Sequence, residues 1–182
     1  MSRNVGKKNE QLIRKIMDEK RKLLVYHGGT ELIEHPLYNY GRSLLDFGKG
    51  FYVTDIKEQA IMWAKITAKK RGLEPVVSRY LLDWDSIVRQ AKCRLFGYYD
   101  EDWLNFVVLC RKGYDPSRKF DYIEGGVADD RVIDTVNSVI SGLMDYKTAL
   151  KTLSTVEPSS QMCFLNQPTI DKYLEYNGME FI

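Results

Sequence analysis

The chain has 182 residues, 44% of them hydrophobic and 29% charged, a balance that marks a folded soluble domain and excludes a disordered polymer. Its 27 basic and 25 acidic residues leave a net charge of +2, which argues against nucleic acid as a bulk electrostatic partner but leaves room for a local basic groove. Three cysteines, Cys93, Cys110 and Cys163, and only two histidines show neither disulfide nor zinc spacing, so no metal is expected and the thiols are expected to be reduced, in or near the core.

Residues 1–21 are strongly charged, and Leu12, Ile13, Ile16 and Met17 recur there at helical spacing. This predicts an amphipathic leading helix, either packed on the domain or serving as a mobile or partner-binding arm. No signal peptide opens the chain and no apolar run approaches about 18 residues, so a cytoplasmic protein without a membrane span is expected. Residues 22–182 have the length of one ordinary domain. Lys22–Tyr26 (KLLVY) reads as a buried strand that breaks into a turn at His27-Gly28-Gly29-Thr30. Residues 31–48 read as loop, and Gly50–Thr54 as a second strand.

Asp55 and Glu58 have the spacing of a capping box, which predicts a helix with Ile56, Ala60, Trp63, Ala64 and Thr67 on one face. Gly72 and Pro75 end it. Val76–Leu82 reads as a strand, and the ambiguous stretch 86–96 is read as a strand too. Asp100 opens a helix through Trp103, Phe106, Val107 and Cys110, with Trp103 in the core. Asp121–Ala128 reads as a strand with a glycine pair, after which Asp129 or Asp130 caps a helix through Leu143. A shorter helix at Tyr146–Leu153, a strand at Gln161–Leu165, a helix at Thr169–Tyr176 and a strand at Met179–Ile182 complete the order. The mixture predicts an α+β fold in a single domain.

Within this order one stretch invites chemistry, Asp46–Thr54 (DFGKGFYVT). It is not a Walker loop: Ser43 stands where the first glycine belongs, and Gly50 where the magnesium-binding hydroxyl belongs. Nor is it a dinucleotide fingerprint, because Val53 replaces the third glycine. Two readings remain open. Gly48 and Gly50 either serve a tight turn with core aromatics behind it, or let the backbone approach a flat ligand. The second reading gains from Tyr26-His27-Gly28-Gly29-Thr30, which offers an imidazole, a flexible backbone and a hydroxyl at the end of the first strand.

Together, His27-Gly28 and Gly48-Lys49-Gly50-Phe51-Tyr52 resemble the ADP-ribosyltransferase superfamily, in its histidine–tyrosine branch that includes diphtheria toxin and the poly(ADP-ribose) polymerases. The chain is similar still more closely to small bacterial proteins of unassigned function in that superfamily. That likeness rests on Tyr26–Gly28, Asp46–Thr54, Gln59-Ala60, Trp63-Ala64, Asp102–Val107, Asp121–Asp130 and Gln161–Phe164, in this order across residues 22–182. The resemblance implies split antiparallel β-sheets with flanking helices, and NAD+ as co-substrate. Tyr52 would stack on the nicotinamide ring, Gly28 would bond its carboxamide through the backbone, and His27 would hold a ribose hydroxyl. Gly48–Gly50 would allow close approach, with Lys49 either near the pyrophosphate or solvated.

The reaction implied is transfer of ADP-ribose to a protein or nucleic-acid acceptor, with release of nicotinamide. The resemblance also implies a context, since relatives of this size tend to act as toxins or effectors, often encoded beside a small neutralising antitoxin protein. The superfamily commonly places a glutamate on a late strand, and here Gln161 stands in that position. An amide accepts and donates hydrogen bonds but carries no charge and cannot act as a base. Three readings follow: a slow transferase using Gln161, a carboxylate supplied by Asp129 or Asp130, or a non-catalytic NAD+ or ADP-ribose binding module acting through a partner.

Overall fold

The computed structural model describes residues 22–157 and 159–182, and at positions 130 and 131 the backbone only. The predicted leading helix at 1–21 lies outside the described residues, as does the side chain of Asp130. Among the described residues, seven strands form two sheets. The first is three-stranded and antiparallel, with β3 (Val76–Asp83) between β1 (Lys22–Gly29) and β7 (Leu174–Phe181). The second runs β2 (Phe51–Val53), β6 (Gln161–Phe164), β5 (Tyr122–Gly125), β4 (Cys93–Leu95). Its β4–β5 pair is parallel and its other pairs are antiparallel, so the expectation of wholly antiparallel sheets is corrected at that edge. An isolated antiparallel bridge, Tyr26–Thr54, links the two sheets.

Six α-helices among the described residues flank these sheets: α1 (Lys57–Arg71), α2 (Trp84–Gln90), α3 (Glu101–Arg111), α4 (Asp130–Ile140), α5 (Tyr146–Leu153) and α6 (Gln167–Tyr173). The result is a mixed α and β domain, as the order of elements predicted. Several boundaries differ from expectation. β1 runs on through His27 to Gly29 rather than turning at His27, because each of these residues pairs with β3. β5 stops at Gly125, and the last strand begins at Leu174.

Asp55 is not the cap of α1. Ile56 holds that position, and the Ile56 N–H is instead bonded to Thr54 Oγ1 at 3.1 Å. Thr54 is fixed by its bridge to Tyr26, so the turn into the helix is made one residue before the predicted cap. Stretch 86–96 is likewise not one strand. Asp83 accepts the Ser86 N–H at 3.2 Å and starts α2, which leaves only Cys93–Leu95 extended. An Asp followed three residues later by a bonded N–H is an ordinary helix start.

Two apolar clusters make up most of the core. One face of the four-stranded sheet (Ile123, Cys163) packs on α3, α4 and α5 through Trp103, Leu104, Val107, Val136 and Leu153. The opposite face (Phe51, Val53, Tyr122, Met162, Phe164) meets the three-stranded sheet through Val25, Tyr80 and Leu82. Each large side chain buried this fully contributes about 1.5–3 kcal/mol. The alternation of the strands feeds both clusters: Phe51 and Val53 point one way and Tyr52 the other.

Helix α1 covers the remaining face of β1. Its seam is small, with Ala60 and Ala64 buried against Val77. Ala68 and Gln59 are also buried, while Trp63 and Thr67 are half-buried and Ile56 is exposed. The buried stripe is therefore rotated toward the alanines, which let the helix backbone approach the strand.

Candidate functional site

His27 and Tyr52 meet where the two sheets part. Tyr26 and Thr54 exchange both backbone hydrogen bonds, at 2.8 and 2.9 Å. The N–H and C=O of Tyr26 therefore point away from β3. Successive residues of a strand alternate in this respect, so two residues on the backbone groups of Gly28 point the same way. They are directed into the gap that opens where β2 leaves β1. Gly28 must be glycine for a second reason: a Cβ there would lie 1.9 Å from the Ala60 carbonyl oxygen of α1.

His27 sits between these features. Its Nδ1–H donates to the Tyr52 carbonyl at 2.7 Å, and its ring stacks on Phe51 at 4.7 Å between centroids. Burial lowers its pKa below the usual value, and the bond to the Tyr52 carbonyl opposes this only in part. The imidazole is thus neutral at pH 7, with hydrogen on Nδ1 and an accepting lone pair on Nε2.

The Tyr52 ring leaves β2 on the opposite face from Phe51, packs beside the first cluster and is half-buried. Its hydroxyl donates to the Gly48 carbonyl at 2.7 Å and accepts the Phe47 N–H at 3.1 Å. Burial, with Cys163 and Asp46 nearby, pushes its pKa well up, so it remains a phenol. The hydroxyl closes the loop Phe47–Gly48 onto its own strand. Gly48 makes that loop possible with φ +81, a conformation that side chains disfavour. Gly50 is pressed on β6, where a Cβ would meet Cys163 Sγ at 2.4 Å. The absence of a side chain there lets β2 pack closely on β6. Lys49 is exposed, and Thr30 accepts a bond from Arg71 Nη1 at 3.3 Å.

Gln161 opens β6, and β6 pairs with β2 so that Cys163 faces Tyr52 and Met162 faces Val53. Gln161 and Cys163 lie two apart, so the Gln161 side chain shares the Tyr52 face. It is buried, and its Nε2 donates to Asp46 Oδ2 at 2.8 Å and to the Gly126 carbonyl at 3.0 Å. The preceding residue is pinned as well, with Gln59 Nε2 donating to the Ser160 carbonyl at 2.8 Å. The structure thus brings the His27 imidazole and Gly28 to the Tyr52 backbone at the split, while the Tyr52 ring and the Gln161 side chain lie on the opposite face of β2 from His27.

Two residues in this network carried no role in the sequence reading, Asp46 and Arg111. Asp46 is 4% exposed and forms an ion pair with Arg111 at 2.5 Å. It also accepts the Ala128 N–H at 2.8 Å. Asp46 was visible as the first residue of DFGKGFYVT, and a carboxylate beside two apolar residues and a glycine was the available signal. Arg111 ends α3, where a basic residue is unremarkable. The carboxylate beside Gln161 is therefore Asp46, whereas Asp129 occupies the N-cap position of α4. Trp103 is in the core as expected, and its Nε1 also donates to the Gly126 carbonyl at 3.1 Å.

Among the described residues no three His, Cys, Asp or Glu side chains gather as a metal site requires. A cavity of about 510 Å³ lies beside the Gly48–Lys49 turn, lined by Tyr38, Tyr114, Arg118 and Phe120 among others. His27, Tyr52 and Gln161 do not line it. No helix among the described residues is long and apolar enough to cross a membrane.

A family model described as "Protein of unknown function (DUF3990)" matches residues 23–176. No curated protein and no solved structure matches the chain.

Proposed function

The chain belongs to the DUF3990 family, and we propose that it is an ADP-ribosyltransferase-like domain that binds NAD+ and transfers ADP-ribose to a protein or nucleic-acid acceptor. The observation that carries this reading is the split between β1 and β2. There the Gly28 backbone groups are turned outward beside a neutral imidazole whose Nδ1 is already engaged.

The chemistry suits a nicotinamide nucleotide. A primary carboxamide has N–H donors and a carbonyl acceptor, which match a strand's C=O and N–H at Gly28. His27 Nε2 accepts a ribose hydroxyl, and its fixed tautomer keeps that role constant near neutral pH. Tyr52 offers a ring tied down by its hydroxyl. The bond from ribose C1′ to the nicotinamide nitrogen breaks with its electron pair leaving on nicotinamide. Positive charge builds on the ribose, and the acceptor's lone pair then forms the new bond to C1′ as its proton passes to solvent. The protein's part is to hold the nucleotide and stabilise that charge by fixed dipoles. The broader reading is a cytoplasmic bacterial toxin or effector, with a small antitoxin protein as partner.

One observation favours a second reading, a non-catalytic NAD+-binding module. Gln161 is uncharged, and the carboxylate behind it is paired with Arg111. The two readings part in one experiment. Radiolabelled NAD+ is incubated with a cell lysate and either the wild-type protein or His27→Ala, then digested separately with nuclease and protease. Label lost to one enzyme and absent with His27→Ala establishes the transferase and its acceptor class. Saturable NAD+ binding by calorimetry without label favours the module. Neither binding nor label overturns both.

A further inference from the structure

The Gln161 amide lies between two groups that can only accept, the Asp46 carboxylate and the Gly126 carbonyl, at 2.8 and 3.0 Å. The atom between them must then be the NH2. Both amide hydrogens are used, and among the described residues Oε1 is left as an unused acceptor on a buried side chain on the Tyr52 face. Asp46 is fixed in turn. Arg111 Nε and Nη2 bind its Oδ1 at 2.8 and 2.5 Å, while the Ala128 N–H and Gln161 share its Oδ2.

We propose that Asp46 is a positioning residue that locks the Gln161 amide with its carbonyl oxygen presented as an acceptor, and that its carboxylate is the reason position 161 carries glutamine and not glutamate. The functional half of this inference rests on the proposed NAD+ site, where that acceptor would take a ribose hydroxyl. The structural half does not.

Physical chemistry supports both halves. An amide whose N–H groups donate to an anion gains electron density on its oxygen, which strengthens it as an acceptor. The negative charge thus acts one hydrogen bond behind the accepting atom. A glutamate at 161 would bring a second carboxylate to the first and turn an oxygen toward the Gly126 carbonyl. Like charges at that distance do not both ionise. Among the described residues, the other ionisable groups that feel Asp46 are Arg111, the Tyr52 and Tyr99 hydroxyls and the Cys110 and Cys163 thiols. Burial pushes those hydroxyls and thiols up, so between about pH 5 and pH 8 they stay neutral.

The test uses the full chain as wild type, Gln161→Glu, Asp46→Asn and the double variant Asp46→Asn with Gln161→Glu. Thermal midpoints are measured from about pH 5 to pH 8, a window above the ordinary glutamate pKa. If the introduced carboxyl has a raised pKa in the folded state, the folded state holds more protons, so Gln161→Glu should lose stability as pH rises. The double variant removes one of the two charges and should lose that slope, melting above the Gln161→Glu protein at pH 8. Wild-type-like pH dependence in Gln161→Glu, or a double variant no more stable than it, overturns the structural half. If Gln161→Glu does not fold at all, recovery of fold in the double variant supports the same point and its failure overturns it.

NAD+ affinity tests the functional half. Asp46→Asn, folded by circular dichroism, should bind NAD+ about tenfold more weakly, the loss of one well-placed hydrogen bond. Equal affinity in Asp46→Asn and wild type overturns the positioning role while the nucleotide site stands. Absence of binding in wild type itself overturns the nucleotide site and with it the functional half, leaving the stability result to be judged alone.

Discussion

His27 Nδ1 donates to the backbone carbonyl of Tyr52 at 2.7 Å, and this bond spans the two sheets at the place where they diverge. One residue earlier on β1 the sheets still share a backbone bridge, and one residue later they do not. The side chain of one strand end thus takes over from the backbone of the other.

That placement makes stability sensitive to acid. Burial lowers the His27 pKa in the folded state, so below about pH 6.5 the unfolded chain takes up a proton that the folded chain refuses. Stability is unaffected above that value and falls as pH drops beneath it. Unfolding free energy from urea titrations between about pH 5 and pH 7.5 should show this slope in wild type. His27→Asn should flatten it. An equal slope in both proteins would show that another group is responsible.

Gly28→Ala should be strongly destabilising. Its Cβ would fall 1.9 Å from the Ala60 carbonyl oxygen, and neither a strand paired to β3 nor a helix backbone yields easily. Overpacking of this kind costs about 1–3 kcal/mol. Gly29→Ala is the control, since its Cβ meets only His27 ring atoms at ordinary contact distance, 3.6 Å. Equal melting temperatures for the two variants would contradict the seating of α1 on β1.

Arg111→Met should cost about 3 kcal/mol or more, because it leaves the buried Asp46 carboxylate without its cation. Denaturant midpoints for Arg111→Met and for the combination with Asp46→Asn give the coupling. The combination should recover part of the loss, and strict additivity would mean that the pair does not interact.

Tyr52→Phe keeps the ring and removes two hydrogen bonds, those with Phe47 and Gly48. A loss of about 1–2 kcal/mol is expected, together with retained NAD+ binding if the ring is the platform. Tyr52→Ala should abolish binding. Calorimetry on both variants decides the matter: equal binding by all three proteins removes the ring from the site.

Thiol chemistry should be slow in the folded protein. Burial pushes Cys93 up to about 11 and Cys110 up to about 12, and it raises Cys163 as well. Alkylation near pH 8 should therefore proceed at a small fraction of its rate in denaturant, with half-buried Cys93 reacting first. Fast labelling of Cys163 would show that the β2–β6 pair opens readily.

Most elements were legible in the sequence because their signals are local. Asp100 before the Trp103 helix and Asp145 before Tyr146 both cap as an Asp should, each accepting the N–H three residues on, at 2.8 and 2.9 Å. Gly72 ends α1 in the left-handed conformation that a terminal glycine supplies. Two local signals misled. Asp55 and Glu58 have cap spacing, but the Tyr26–Thr54 bridge fixes the chain just before them. Residues 86–96 read as one strand, yet their first half is helical because Asp83, which lies before that window, caps α2.

The site was half legible for the same reason. His27, Gly28 and Tyr52 stood in short motifs. Asp46 and Arg111 lie 65 residues apart in the chain, and Asp46 and Gln161 lie 115 apart. Their contact is a product of packing, and only the carboxylate's position ahead of the glycine turn hinted at it. The reason for glycine at 28 and 50 was also hidden, since both are decided by the backbone or thiol of a distant element.

The three-stranded sheet has its central strand at residues 76–83 and one flank at 174–181. Glu180 on that flank is held by Lys57 at 2.6 Å and Arg79 at 3.2 Å, from α1 and β3. During synthesis, then, β3 waits with an open edge until roughly a hundred further residues have been made, about 5–20 s at ordinary elongation rates. A ribosome that stalls anywhere in that interval holds a chain with His27, Gly28 and Tyr52 all present but with a sheet that has not closed. Late completion works as a delay: the nascent chain carries these motifs well before the last flank of the sheet docks.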